Sequence, residues 1–252
     1  MKKYLPFILL FVGLLITIGA FVFVRKAATK QASDGVDDEV VEVPLEARPV
    51  VSLTPRSDGH YLDLKIIKLT ALKASSLTYE FLYVVPGQDQ PQGSAPTVDI
   101  KGKDDFITDL LLGTESSGKF RYDEGVEKGT LTLTFRNDQG KLLGKFSTGF
   151  SLSSSKDLIS IPDGEFTISL DKTPKKEYFV VMETWGIPDS TPTTISKGPY
   201  GLFSSIDIKK LSGKVSMGGS KIFMHITGSL WEEFNDGSIF DTDTGIFYGS
   251  SK

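Results

Sequence analysis

The chain has 252 residues, with 28 Lys and Arg against 32 Asp and Glu, and no cysteine. All 32 acidic residues but only 23 of the basic ones follow Lys30, so that part carries a net charge of −9 and lacks the basic stripe a nucleic-acid binder needs. Without cysteine there is neither a disulfide staple nor a thiol for lipid attachment, and stability has to come from apolar burial, which a chain of this length supplies.

Tyr4–Val24 reads YLPFILLFVGLLITIGAFVFV, free of charge and bracketed by Lys2 and Lys3 before and Arg25 and Lys26 after. At about 1.5 Å per residue a helix of this length covers about 30 Å, the hydrocarbon thickness of a bilayer. The run is longer than a cleaved secretory signal and leaves through bulky, then basic residues, so residues 1–30 are expected to be retained as a single-pass signal anchor. Gly13 and Gly19 stand six apart, not four, which removes the close-packing face of helix dimers. Basic residues flank both ends; the short N-terminus is expected inside and the long C-terminal part outside the cytoplasm.

Residues 31–49, QASDGVDDEVVEVPLEARP, hold six acids, one base and two prolines. Repulsion among Asp34, Asp37, Asp38, Glu39, Glu42 and Glu46 predicts an extended spacer, with Val40, Val41 and Val43 as an alternative short edge strand.

Beyond Pro49 the apolar period is two. Leu77, Tyr79, Phe81, Tyr83 and Val85 alternate with more polar neighbours, as do Leu131, Leu133 and Phe135, and Phe166, Ile168 and Leu170, each pattern marking a half-buried strand. Leu62, Leu64 and Ile66 keep one parity and Ile67 and Leu69 the other, which predicts a bulge between Ile66 and Ile67. Tyr178–Met182, YFVVM, is apolar throughout and predicts a strand buried on both faces. Arg56–Gly59, Asn137–Gly140 and Pro162–Gly164 combine Asp or Asn with Gly as hairpin turns do. No helical stripe follows the anchor, so the expected fold is all-β, an antiparallel β-sandwich. The serine-rich SLSSSKD, Ser151–Asp157, divides it into two immunoglobulin-like sandwich units, residues 50–153 and 154–252; the Cys and Trp spacing of true immunoglobulin domains is missing.

Four local patterns resemble chemistry. Gly113–Phe120, GTESSGKF, approximates a phosphate loop, yet Phe120 replaces the metal-binding hydroxyl, Glu115 sits where phosphate belongs and no helix follows, so it predicts a Gly-Ser hairpin. Asp243–Gly245 matches the aspartic-protease triplet once, with Ile246 where that family has a small residue, and predicts a surface turn. Asn235, Asp236, Asp241 and Asp243 offer hard oxygen ligands to calcium in a loop clamp, against the plainer reading of acidic turn residues; no other cofactor is implied. His60 and His225 are isolated in sequence and make neither a zinc site nor a serine triad, and adjacent Glu232 and Glu233 point to opposite faces of a strand.

The stretch Trp185–Tyr200, WGIPDSTPTTISKGPY, carries three of the twelve prolines between two aromatic residues. It predicts an exposed loop on which Trp185 and Tyr200 contact a protein or a glycan, the competing reading being that Trp185 closes the core. Together these features describe a membrane-anchored, extracytoplasmic β-sandwich with a binding or structural role at the cell envelope. The rival is a surface carbohydrate-binding module or hydrolase.

Overall fold

A computed structural model describes residues 42–173, 175–208, 211–228, 230–234 and 242–251. Among these residues no helix is long and apolar enough to cross a membrane, and the expected span Tyr4–Val24 lies outside them. Contacts group Val40–Lys252 as one compact unit, and it is built of antiparallel β-strands.

The strands in chain order begin with the hairpin β1 (Val50–Pro55) and β2 (Tyr61–Ile67), then β3 (Ser76–Tyr83), β4 (Gln92–Ser94), β5 (Thr97–Asp99) and β6 (Asp105–Leu111). A small hairpin, β7 (Gly113–Ser116) and β8 (Lys119–Tyr122), precedes the long pair β9 (Lys128–Arg136) and β10 (Leu142–Ser154). β11 (Leu158–Ser160), β12 (Thr167–Leu170), β13 (Tyr178–Glu183) and β14 (Ile195–Ser204) follow, and β15 (Gly213–Ser216), β16 (Lys221–Ile226), β17 (Leu230–Phe234) and β18 (Ile246–Ser250) complete the body.

Ten strands form one sheet in the order β17-β16-β18-β14-β13-β10-β9-β3-β4, with β5 also on β3. Period-two alternation gives this sheet two apolar faces, and each has its own cover. Val180 and Met182 of β13 join Phe150, Leu152, Leu131 and Leu133 in a core that includes Leu53, Leu62 and Leu64 of the β1-β2-β6 sheet. Phe179 and Val181 join Leu202 and Phe247 in a second core that includes Ile159, Ile168 and Val215 of the β11-β12-β15 sheet. The all-apolar run YFVVM is thus buried from both sides because it is the strand the two cores share.

The serine-rich stretch expected between two sandwich units is the end of β10, where Ser151–Ser154 pair with Tyr178–Val181. Gly59 and Gly140 adopt φ of 72° and 78° in the β1–β2 and β9–β10 turns, the left-handed region that glycine enters without penalty. GTESSGKF forms the β7–β8 hairpin, with Gly113 opposite Tyr122 and Ser116 opposite Lys119. The expected bulge after Ile66 is absent: β2 keeps an unbroken register with both neighbours through Ile67. The change of parity marks the strand's end, where Lys68 turns left-handed at φ 65° and Leu69 starts a 3-10 turn. Part of the predicted spacer also belongs to the body, since Val43 is buried, Arg48 Nε donates to its carbonyl at 2.8 Å, and Lys68 Nζ donates to the Glu46 carbonyl at 3.0 Å.

Candidate functional site

A cleft of about 570 Å³ opens between β1 and β2 on one side and the end of β14 with the turns flanking β16 and β18 on the other. Val50, Ile67, Phe203 and Ile206 line it with apolar surface, while Lys65, Asp189, Asp207 and Asp243 bring charge to it. Its polar centre is assembled from three separate segments. β16 carries His225, 4 % exposed; the loop after β13 carries Asp189; and the turn leading into β18 carries Thr244.

These three side chains are joined in a row. His225 Nε2 lies 3.0 Å from Asp189 Oδ2, and His225 Nδ1 lies 3.2 Å from Thr244 Oγ1. A carboxylate only accepts, so Nε2 carries the proton towards Asp189 and Nδ1 presents its lone pair to the threonine hydroxyl. The single Thr244 hydroxyl hydrogen has a second acceptor within reach in the His225 carbonyl, 3.0 Å from Oγ1, and Thr242, fully buried, donates its hydroxyl to the same carbonyl. The Thr242 hydroxyl in turn accepts from the Gly245 amide at 3.1 Å and the Thr244 amide at 3.2 Å, which locks the turn. Trp231 stands edge-on to the imidazole at 5.0 Å. Nucleophile, base and orienting carboxylate in hydrogen-bond sequence is the arrangement of activated hydroxyls.

The expected binding surface is not assembled. Trp185 is 3 % exposed and packs at 5.6 Å from Phe146 in the first core. Tyr200 is 7 % exposed in the second core, stacked at 5.2 Å on Phe166 with its hydroxyl donating to Glu165. The two rings lie on opposite faces of the large sheet. The loop is also shorter than its composition predicts, because β14 begins at Ile195 and the intervening segment is tied down: Lys68 Nζ donates to the Ile187 carbonyl at 3.0 Å and Thr193 bonds the Tyr248 hydroxyl at 3.0 Å. Burial and the neighbouring Glu165 push the Tyr200 phenol well above its ordinary range.

Of the calcium candidates, Asn235, Asp236 and Asp241 lie outside the described residues. Asp243 Oδ1 accepts the Thr227 amide at 2.7 Å, a bond that fixes one turn beside another. Among the described residues no cluster of three or more metal-binding side chains occurs.

Exposed aromatic surface lies elsewhere, on the β7–β8 hairpin. Phe120 and Tyr122 are 48 % and 39 % exposed, Tyr122 stacks on His60 at 3.9 Å, and Tyr61 meets Tyr122 edge-on at 6.3 Å. The hairpin is held at its base, where Tyr83 donates to buried Asp123 at 2.9 Å. No spacing in the sequence marks these residues, nor the Asp189, His225 and Thr244 row, since each set is gathered from distant segments. The chain matches no protein-family model, no curated protein and no solved structure.

Proposed function

We propose that this is a membrane-anchored, extracytoplasmic binding protein of the cell envelope, with residues 4–24 as its anchor and the cleft at His225 as its ligand site. The observation that carries the reading is the convergence of His225, Asp189, Thr244 and Lys65 on a cleft that Val50, Ile67, Phe203 and Ile206 also line, polar groups set among apolar ones as in a small-ligand site. The network of Thr242 and Thr244 around the His225 carbonyl rigidifies the site in advance, so little ordering is left to oppose binding. Ligand-observed NMR screening of a fragment collection against the full chain and its Ser52→Trp variant tests the site. Ser52 lines the cleft, and the bulk of an indole there would obstruct it. Fragments that bind the native chain and are lost in the variant are the expected result; hits that persist unchanged in Ser52→Trp refute the assignment.

Location is tested separately. Protease added to intact cells or spheroplasts should digest the β-body while cytoplasmic controls survive, and protection until lysis would place it on the other side. A second reading, glycan binding, draws on the exposed rings of Phe120 and Tyr122, whose faces suit the C–H surface of a sugar. Retention of polysaccharide binding by a Phe120→Ser, Tyr122→Ser double variant would remove it.

A further inference from the structure

Resting on the reading of the cleft as the ligand site, we propose that it also cleaves small carboxylic esters, with Thr244 as nucleophile, His225 as general base and Asp189 as the carboxylate that positions the imidazole. Three observations combine. The distances, 3.2 Å from Thr244 Oγ1 to Nδ1 and 3.0 Å from Nε2 to Asp189 Oδ2, put the proton path in place without movement of any heavy atom. Only the hydroxyl hydrogen turns, from the His225 carbonyl at 3.0 Å to Nδ1.

The network is also satisfied in both protonation states of the ring. With His225 neutral, Nε2–H donates to Asp189 and Nδ1 accepts from Thr244. With His225 protonated, Nδ1–H donates to Thr244 Oγ1, the hydroxyl hydrogen turns to the His225 carbonyl, and Asp189 faces a full positive charge. During acyl transfer the proton gained is Thr244's own, and the ring keeps both of its partners, Nδ1–H facing Oγ1 and Nε2–H facing Asp189. A histidine serving packing alone has no need of an open cleft at its hydroxyl partner, whereas Thr244 is half-buried and lines one.

The third observation concerns the substrate. Ile67, Ile206 and Phe203 offer an apolar wall to an acyl chain, and the exposed ammonium of Lys65 lines the same cleft as the cation available to the developing oxyanion. Asp207 and Asp243 repel a carboxylate, which favours a neutral ester over an acid and hastens loss of the acid product.

In the first half-reaction Thr244 Oγ1 bonds to the ester carbonyl carbon as its proton passes to His225 Nδ1. The tetrahedral adduct then collapses, the ester C–O bond breaks, and the departing alkoxide takes the proton from Nδ1. In the second half-reaction water gives a proton to Nδ1 and its oxygen bonds to the acyl carbon; the bond to Thr244 Oγ1 breaks and the proton returns to that oxygen. Ester and water give acid and alcohol, with Thr244 and His225 restored.

The test mixes the full chain, in detergent, with p-nitrophenyl acetate or butyrate, follows p-nitrophenol release, and reads the protein's intact mass followed by peptide mapping. An acyl group on Thr244 is expected, retained in Thr244→Ser and absent in Thr244→Val. His225→Gln should slow acylation at least about a hundred-fold, the usual contribution of a general base. Asp189→Asn, at a side chain 46 % exposed and therefore tolerant of change, should slow acylation with an altered pH profile and an unchanged melting temperature. Equal p-nitrophenol release by native chain and folded Thr244→Val, or acyl groups confined to lysines, overturns the proposal. Fragments that still bind the native chain and are lost in Ser52→Trp would then leave the binding site standing and the catalytic assignment refuted.

Discussion

Replacing Trp185 tests the logic of the first core at its most demanding position. The ring is 3 % exposed, touches Phe146, and follows β13 with φ at +61°, a left-handed backbone angle that costs a side-chain-bearing residue about 1–2 kcal/mol. Its backbone bridges to Val50, which ties β1 to the large sheet. Truncating a packed aromatic to alanine costs about 3–5 kcal/mol, so Trp185→Ala should lower stability by that amount. Trp185→Gly leaves the same void but relieves the backbone; that gain exceeds the extra unfolded-state entropy of glycine, about 0.5–1 kcal/mol, so glycine should be the less damaging change. Trp185→Phe keeps a ring beside Phe146 and removes a buried indole N–H that has no hydrogen-bond partner among the described residues, a group whose burial costs about 1–3 kcal/mol. It should therefore be the mildest of the three. Urea denaturation with a common m-value gives the order Phe, Gly, Ala directly. A Trp185→Ala variant within about 1 kcal/mol of the native chain, against the expected loss, or one more stable than Trp185→Gly, would refute the reasoning.

Three further outcomes are expected. Burial raises the Glu183 carboxyl above its ordinary range despite the opposing charge of Arg48, so its ionised form burdens the folded state. Glu183→Gln should raise the melting temperature at neutral pH, with the gain fading as pH falls through the carboxyl's folded pKa and gone below its unfolded pKa, where both forms are neutral; a gain that is constant with pH would contradict this. A chain starting at Val50 should be less stable than one starting at Val40 by about 1.5–3 kcal/mol, the worth of burying Val43, and equal midpoints in denaturant would show that residues 42–49 add nothing. Millimolar calcium should leave the melting temperature unchanged, because Asp243 is engaged by the Thr227 amide; a rise of several degrees would restore a calcium site there.

The strands were legible because alternation is a local property: Leu77 to Val85 and Leu131 to Phe135 each declare a buried face within a few residues, and Asn137–Gly140 declares its turn. The run YFVVM likewise announced burial on both sides, from composition alone. Which core Trp185 enters was not legible, because Glu183 shares its parity and the left-handed turn at Trp185 breaks the alternation that would have assigned a face. The change of parity at Ile67 misled for the same reason: strand end and bulge leave one signature in sequence, and only the left-handed Lys68 separates them.

The chain by itself determined an all-β body with short antiparallel turns, and it carries an uncharged run from Tyr4 to Val24. Tertiary structure decided that β13 is shared by two cores on opposite faces of one sheet, and that Asp189, His225 and Thr244 meet in a cleft. The reason is physical. Alternation and turn chemistry act between neighbours along the chain, whereas a hydrogen bond forms between whatever groups packing brings within about 3 Å, and residues 36 and 19 positions apart acquire that proximity only when β14, β16 and β18 have paired.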